Sequence, residues 1–286
     1  MLIIWLVISA CNLEINQVNF LHMLTDIHCH LEDSAFNADR EDVIARAKRA
    51  LDAVVISLVD PADFEVGFDL VQRHKGFVFA TAGLHPGLVE KFTDKEIEET
   101  LKKVEERGDS IVGIGEMGLD YNWVKKESER ERQKNLFIKS IRLAKKLDLS
   151  LVVHIRAGED KKERDPYLEA IEILENEGAK RVLLHMFGAK RLLQRVLDNG
   201  WYISTNAIVL TGKEHNRIVR AVPLKRLMLE TDSPYLTPEL EKLKGVKRNE
   251  PIFVKYVAER VAKIKEMNFE KVAEATSANA KKFFGL

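Results

Sequence analysis

From Leu24 to Asp232 the chain alternates short, β-branched apolar runs with longer amphipathic stretches. The runs are LTDIH, DAVVISLV, FVFATAG, SIVGIGE, LSLVVHI, RVLLHMF, GWYIST and RLMLETD. Apolar residues recur at helical spacing between them, over Glu41 to Leu51, Lys95 to Arg107, Glu129 to Leu147, Tyr167 to Glu177 and Arg191 to Asn199. Eight such units predict an α/β protein, a parallel (β/α)8 TIM barrel of about 250 residues. After the eighth run come PIFVKYVAERVAKIKE, the closing helix, and NFEKVAEATSANAKKFF, an extra C-terminal helix. With no Gly/Ser/Pro linker, repeat or low-complexity tract, residues 23–286 read as a single domain.

The opening MLIIWLVISAC is apolar and uncharged until Glu14. It has no basic n-region for a signal peptide and about half the roughly 20 apolar residues of a membrane span. Residues 1–22 are therefore expected to be an N-terminal leader or an upstream misassignment, with Met23 as the natural start. Lys+Arg and Asp+Glu both total 45, so there is no basic coat for nucleic acid, and any such partner must be gripped locally, at a few phosphates. Two cysteines, Cys11 and Cys29, are too few for a disulfide framework and point to a reducing compartment, the cytoplasm by default.

In a barrel of this kind the working residues lie at the C-terminal ends of the strands. Those positions carry His28 and His30 on the first, His85 after the third, Glu116 on the fourth, His154 on the fifth, His185 on the sixth and Asp232 on the eighth. Taken singly, each has an ordinary reading: a hydrogen-bonded core histidine, a carboxylate on backbone, or, for TDSPY, a helix-capping turn. Together, seven polar groups on one dry face would cost several kcal/mol in desolvation unless they shared cations. Residues two apart in a strand face one side, so His28 and His30 can converge on one ion. Four imidazoles and two carboxylates exceed the needs of one ion. Two divalent ions sharing a carboxylate are expected, about 3.5 to 4 Å apart and set to activate a water between them. Mixed N/O donors suit zinc or manganese, with magnesium weaker. His74 at a helix C-terminus, His22 in the leader and His215 at a polar helix start need no ligand role.

The motifs TDIHCHL, GLHP, GEMGLDY, VVHIR, LHMF, ETDSPYL and KRNEP, in that order over about Leu24 to Leu286, resemble the TatD family of metal-dependent deoxyribonucleases. The resemblance implies a barrel hydrolase with a binuclear site that cleaves DNA phosphodiesters, often from the 3′ end of single strands. It also implies roles. His28 and His30 bind one metal, Glu116 bridges, His154 and His185 bind the second, Asp232 completes the first and accepts the proton of the attacking water, and His85 lies near the scissile phosphate. In KRNEP, Arg248 has the planar fork that suits a phosphate and Lys247 is a second cation, while Asn249 or Glu250 can equally cap the helix that Pro251 opens. Tyr121, Trp123 and Tyr235 are available to stack on bases, although packing is the commoner fate of such rings. Two stretches depart from the family: Phe187-Gly188-Ala189, where Phe-Ser-Gly is usual, and ISTNAIVLT on the seventh strand. Three functions compete on this reading. One is a DNase acting at strand ends or lesions. Another is an amidohydrolase-type small-molecule hydrolase on the same metals, which would often carry a modified lysine where this chain has Glu116. The last is a non-catalytic barrel, disfavoured because all six ligands are present.

Overall fold

The computed structural model describes residues 24–159 and 164–286; the opening segment 1–22, with Cys11 and His22, lies outside the described residues. Eight parallel strands follow one another around a single sheet in the order of the chain. They are β1 (Leu24–Cys29), β2 (Leu51–Leu58), β3 (Val78–Ala82), β4 (Gly113–Asp120), β5 (Ser150–Arg156), β6 (Val182–Leu184), β7 (Tyr202–Thr205) and β8 (Leu227–Leu229). Between them run α1 (Arg40–Lys48), α2 (Phe64–Arg73), α3 (Asp94–Glu106), α4 (Glu127–Leu147), α5 (Pro166–Asn176), α6 (Leu193–Asp198) and α7 (Lys213–Ala221). The closing helix α8 (Val254–Lys265) and the extra helix α9 (Phe269–Phe284) complete the (β/α)8 barrel expected from the alternation.

Period-two alternation sorts each strand. Val54, Ile56 and Leu58 on β2, Leu151, Val153 and Ile155 on β5, and Leu227 and Leu229 on β8 pack outward under the helices. Their neighbours Val55, Val152 and Met228 fill the lumen floor with Ile27 and Leu183, where Phe283 and Phe284 of α9 plug the N-terminal end of the barrel. One layer higher, the lumen-facing positions become polar: His154 on β5, His185 just past β6 and Glu230 just past β8 are all buried.

Two irregularities aim the key side chains. On β1 the pairing with β2 shifts between Asp26 and Cys29, so Ile27 stays in the floor while its neighbour His28 also turns inward. On β4 the register shifts between Ile114 and Met117, both of which pack outward, and the extra residue turns Glu116 into the lumen. Gly118, at φ 141°, permits the close approach of β4 to β5, since a Cβ there would stand 2.1 Å from the His154 carbonyl oxygen. Past β8 the barrel closes through backbone bonds: the Asp232 N–H donates to His28 O (2.9 Å) and the His30 N–H to Ser233 O (2.7 Å). No helix among the described residues is long and apolar enough to cross a membrane.

Candidate metal centre

All seven side chains expected at the mouth meet there. Glu116 is the hub. Its Oε1 lies 2.6 Å from His154 Nδ1, 3.5 Å from His85 Nε2 and 3.9 Å from His185 Nε2, and its Oε2 lies 3.3 Å from His28 Nε2. Asp232 Oδ1 faces the other side, 3.4 Å from His30 Nε2 and 3.6 Å from His28 Nε2. The His28 and His185 rings stack with centroids 3.9 Å apart. Among the described residues, donors close enough to hold an ion fall into four groups: His28, His30 and Asp232; Glu116, His154 and His185; His28, His185 and Glu230; and His85, Asp120 and His154; the first two divide the six expected residues between them.

The donor set fits divalent cations. His28 Nε2 is buried, points at two carboxylates, and has no hydrogen-bond partner among the described residues. A buried nitrogen left so is costly unless a metal takes its lone pair. The remaining rings are oriented from behind. His30 Nδ1 lies 3.2 Å from Glu32 Oε1 and 3.0 Å from Ser57 O; both are acceptors, so Nδ1 carries a proton and Nε2 is the nitrogen turned toward Asp232. His185 Nδ1 lies 3.0 Å from Glu230 Oε1, and His154 Nε2 lies 3.0 Å from Asp120 Oδ2. An outer carboxylate on an imidazole's far nitrogen is the usual support of a ligating histidine. Without metal, positive charge collects on the rings instead. Burial opposes it, yet the charge of Glu116 and the bond to Asp120 bring His154 up to about 9, and Glu230 brings His185 up to about 10. Burial would raise Glu116 too, and the imidazoles around it hold it well below the usual carboxylate range.

His85 differs. Its Nδ1 accepts the Gly87 N–H (2.9 Å), so the neutral ring carries its proton on Nε2, toward Glu116. Burial, then the neighbouring His154, pushes it down to about 4, which keeps it a neutral donor rather than a cation.

Several expectations are refined. Arg248 does not reach out with an open fork: its guanidinium is held by both Asp39 oxygens (2.8 Å each), by Ala35 O, and lies over the Phe36 ring at 4.4 Å. Lys247 is exposed. Neither Asn249 nor Glu250 caps the turn at Pro251 with its side chain. Asn249 is instead buried and fastens the loop after β8, and Glu250 pairs with Arg46. No helix follows TDSPY; the segment is a turn closed by the Tyr235 N–H on Asp232 O. Tyr121 is a core residue, its hydroxyl donating to Glu169 (2.6 Å) and its ring beneath Arg130, whereas Trp123 and Tyr235 are exposed beside His85 and His30. His74 ends α2 as expected, 3.2 Å from Glu41, and His215 stands near the start of α7.

Four acids at the site were not singled out from the sequence: Asp26, Glu32, Asp120 and Glu230. Asp26 accepts from the Thr231 N–H (2.9 Å) and hydroxyl (2.5 Å), tying β1 to the loop after β8. Strand parity was the available signal, since Glu32 follows His30 by two, Asp120 follows Glu116 by four, and Glu230 precedes Asp232 by two.

A parallel barrel whose C-terminal mouth gathers histidines around two carboxylates defines the class of metal-dependent hydrolases. The chain belongs to the TatD related DNase family, whose model matches residues 25–285. It is 35% identical to an uncharacterized metal-dependent hydrolase, YabD, of Bacillus subtilis, over 92% of this chain and 99% of that one. It is 33% identical to the deoxyribonuclease TATDN3 of Homo sapiens (91% and 94% covered) and 29% identical to a 3′-5′ ssDNA/RNA exonuclease TatD of Pantoea ananatis (91% and 99%). The crystal structure of YjjV, a TatD homolog from Escherichia coli, superposes with a TM-score of 0.81 at 23% identity, covering 92% of this chain and 98% of that one, and shares the fold.

Proposed function

We propose that this hydrolase is a deoxyribonuclease that cleaves phosphodiester bonds with two divalent ions, trimming single-stranded DNA from the 3′ end. One observation carries the reading: Glu116 stands between the two donor groups, with one oxygen toward His28 and the other toward His154 and His185. His28, His30 and Asp232 would hold one ion, His154 and His185 the other, and Glu116 both. Zinc or manganese suits this N/O set, and the pair, when bound, supplies an acidified water and neutralises charge on the phosphoryl oxygens. The chain's own groups do the rest. Asp232, held below the usual carboxylate range by its bond to His30 against the effect of burial, is ionised and placed to accept a proton. His85 Nε2–H faces the centre from the Glu116/His154 side and would donate to a non-bridging oxygen, where it is worth most as charge develops. Trp123 and Tyr235 flank the mouth as exposed rings on which bases of a single strand can stack. The names of the human and Pantoea relatives, a deoxyribonuclease and a single-strand exonuclease, support the substrate.

The test uses metal-reconstituted protein with 5′- and 3′-labelled single strands beside the Asp232→Asn variant, with metal content measured in both. Stepwise shortening of the 5′-labelled strand, lost in the variant at unchanged metal content, is the expected result. Activity in Asp232→Asn equal to the unmodified protein removes the assignment of Asp232. Turnover of a small amide or lactone with DNA untouched selects the small-molecule hydrolase instead.

A further inference from the structure

The guanidinium that sequence reasoning assigned to substrate, on Arg248, is occupied by Asp39. A phosphodiester chain lying across the mouth still requires a cation beyond the metal ligands, because its neighbouring phosphates keep their charge. Arg156 meets the requirement. It is the last residue of β5, two past His154 and therefore on the same side of the strand, and it is the exposed end of an otherwise buried strand. Among the described residues no hydrogen bond or ion pair engages its side chain. Its nearest acid by register is Asp120, paired with it in the β4–β5 ladder. That carboxylate is already filled: Oδ1 accepts the N–H groups of Asn122 (2.9 Å) and Trp123 (2.8 Å), and Oδ2 faces His154 Nε2.

A second group lies on the same side of the mouth, within electrostatic reach of it. The Tyr167 hydroxyl, at the start of α5, lies against the Gly188 backbone. Gly188 belongs to the stretch that departs from the family, and the departure has a structural consequence. A Cβ at position 188 would stand 3.0 Å from the Tyr167 oxygen, so a side chain there requires the hydroxyl to give way by a few tenths of an ångström. Glycine leaves the phenol room three residues beyond the ligand His185.

We infer that Arg156, together with the Tyr167 hydroxyl, forms a binding subsite for the phosphodiester adjacent to the scissile one, on the His154/His185 side of the metal centre. The inference rests on the nuclease reading and specifies its substrate: a strand with at least two consecutive phosphates, gripped by a planar fork and one neutral hydroxyl.

The experiment compares kcat/KM on a dinucleotide, which has one phosphodiester, with that on a trinucleotide of the same sequence, which has two, in the metal-reconstituted full chain. In the unmodified protein the second phosphate is expected to raise kcat/KM by roughly 10- to 100-fold, the range of one charge-assisted hydrogen-bonded contact. Arg156→Gln loses most of that increment, chiefly through KM. Arg156→Lys keeps part of it, and Tyr167→Phe reduces it by a few-fold. The logarithmic salt dependence on longer single strands should also flatten by about 0.7 in Arg156→Gln, the value of one phosphate contact. An increment equal in Arg156→Gln and the unmodified protein overturns the inference while leaving the nuclease reading intact. Equal losses on both substrates also overturn it, by showing that Arg156 serves the reacting phosphate. Absence of cleavage of either substrate by the unmodified protein, with a small ester still hydrolysed, overturns both.

Discussion

Replacing Asn249 separates what its amide does from the space it fills. Its Nδ2 donates to the carbonyls of Thr231 (2.9 Å), Tyr235 (2.7 Å) and Leu236 (3.2 Å), and its Oδ1 accepts the Glu250 N–H (2.9 Å); the residue is fully buried. The loop it fastens carries Asp232 at φ 60°, a left-handed conformation that a non-glycine residue keeps only when its surroundings enforce it. Asn249→Ala removes two amide N–H donors and one acceptor and leaves buried partners unpaired. At about 1 kcal/mol per lost bond, plus the cost of each orphaned group, the loss comes to about 3 to 5 kcal/mol. With a urea m-value of about 3 kcal/mol/M for a chain of this size, the midpoint falls by about 1 to 2 M. The measurement belongs on metal-stripped protein, so that metal linkage does not mask it. Asn249→Asp provides the contrast: it preserves volume and the Oδ1 acceptor but turns a carboxylate oxygen toward three carbonyls. It is expected to be worse than alanine above pH 5 and to recover as the acid protonates. An aspartate variant more stable than the alanine variant at neutral pH would refute the reasoning, because filling space would then matter more than the amide bonds.

Metal affinity should rise with pH, because His154 (about 9) and His185 (about 10) must each release a proton to bind an ion. With both charged, affinity grows by about tenfold per unit for each proton displaced, which proton release in weakly buffered calorimetry would count. The same two groups make the metal-free protein most stable below the ordinary imidazole pKa near 6.5, with that contribution lost as pH rises through about 9 to 10; thermal unfolding of chelated protein across this window checks the sign. His85→Ala should lower kcat on single strands by about 10²- to 10³-fold, as for loss of a charge-stabilising donor, with metal content by elemental analysis unaltered. Phe283→Ala at the lumen floor should cost about 3 to 5 kcal/mol in denaturant unfolding without changing metal stoichiometry.

The alternation of apolar runs made the barrel legible, since hydrophobic patterning survives in any local window. The convergence of His28, His30, His85, Glu116, His154, His185 and Asp232 was legible because the barrel rule turns the end of a strand into a place at one mouth. What escaped was side-chain partnership. Arg248 looked like a phosphate fork because its type and neighbourhood suited one, and only tertiary contact shows Asp39 filling it. Glu32, Asp120 and Glu230 share parity with His30, Glu116 and Asp232, yet parity cannot tell a supporting acid from an outward one. On β1 and β4 the local register shifts show why: counting by twos across an irregular ladder gives the wrong face. Arg156 lies within VVHIR, but its exposure and its lack of a side-chain partner among the described residues are properties of the folded chain that a motif does not carry.

The bonds from the Asp232 N–H to His28 O and from the His30 N–H to Ser233 O both join the two ends of the sheet and lock three would-be ligands in place. Unzipping that one joint would therefore disable chemistry and circumference together, so breathing at the seam should silence the enzyme before any helix loosens. Amide exchange at residues 30 and 232, slowed on metal addition, would time the event.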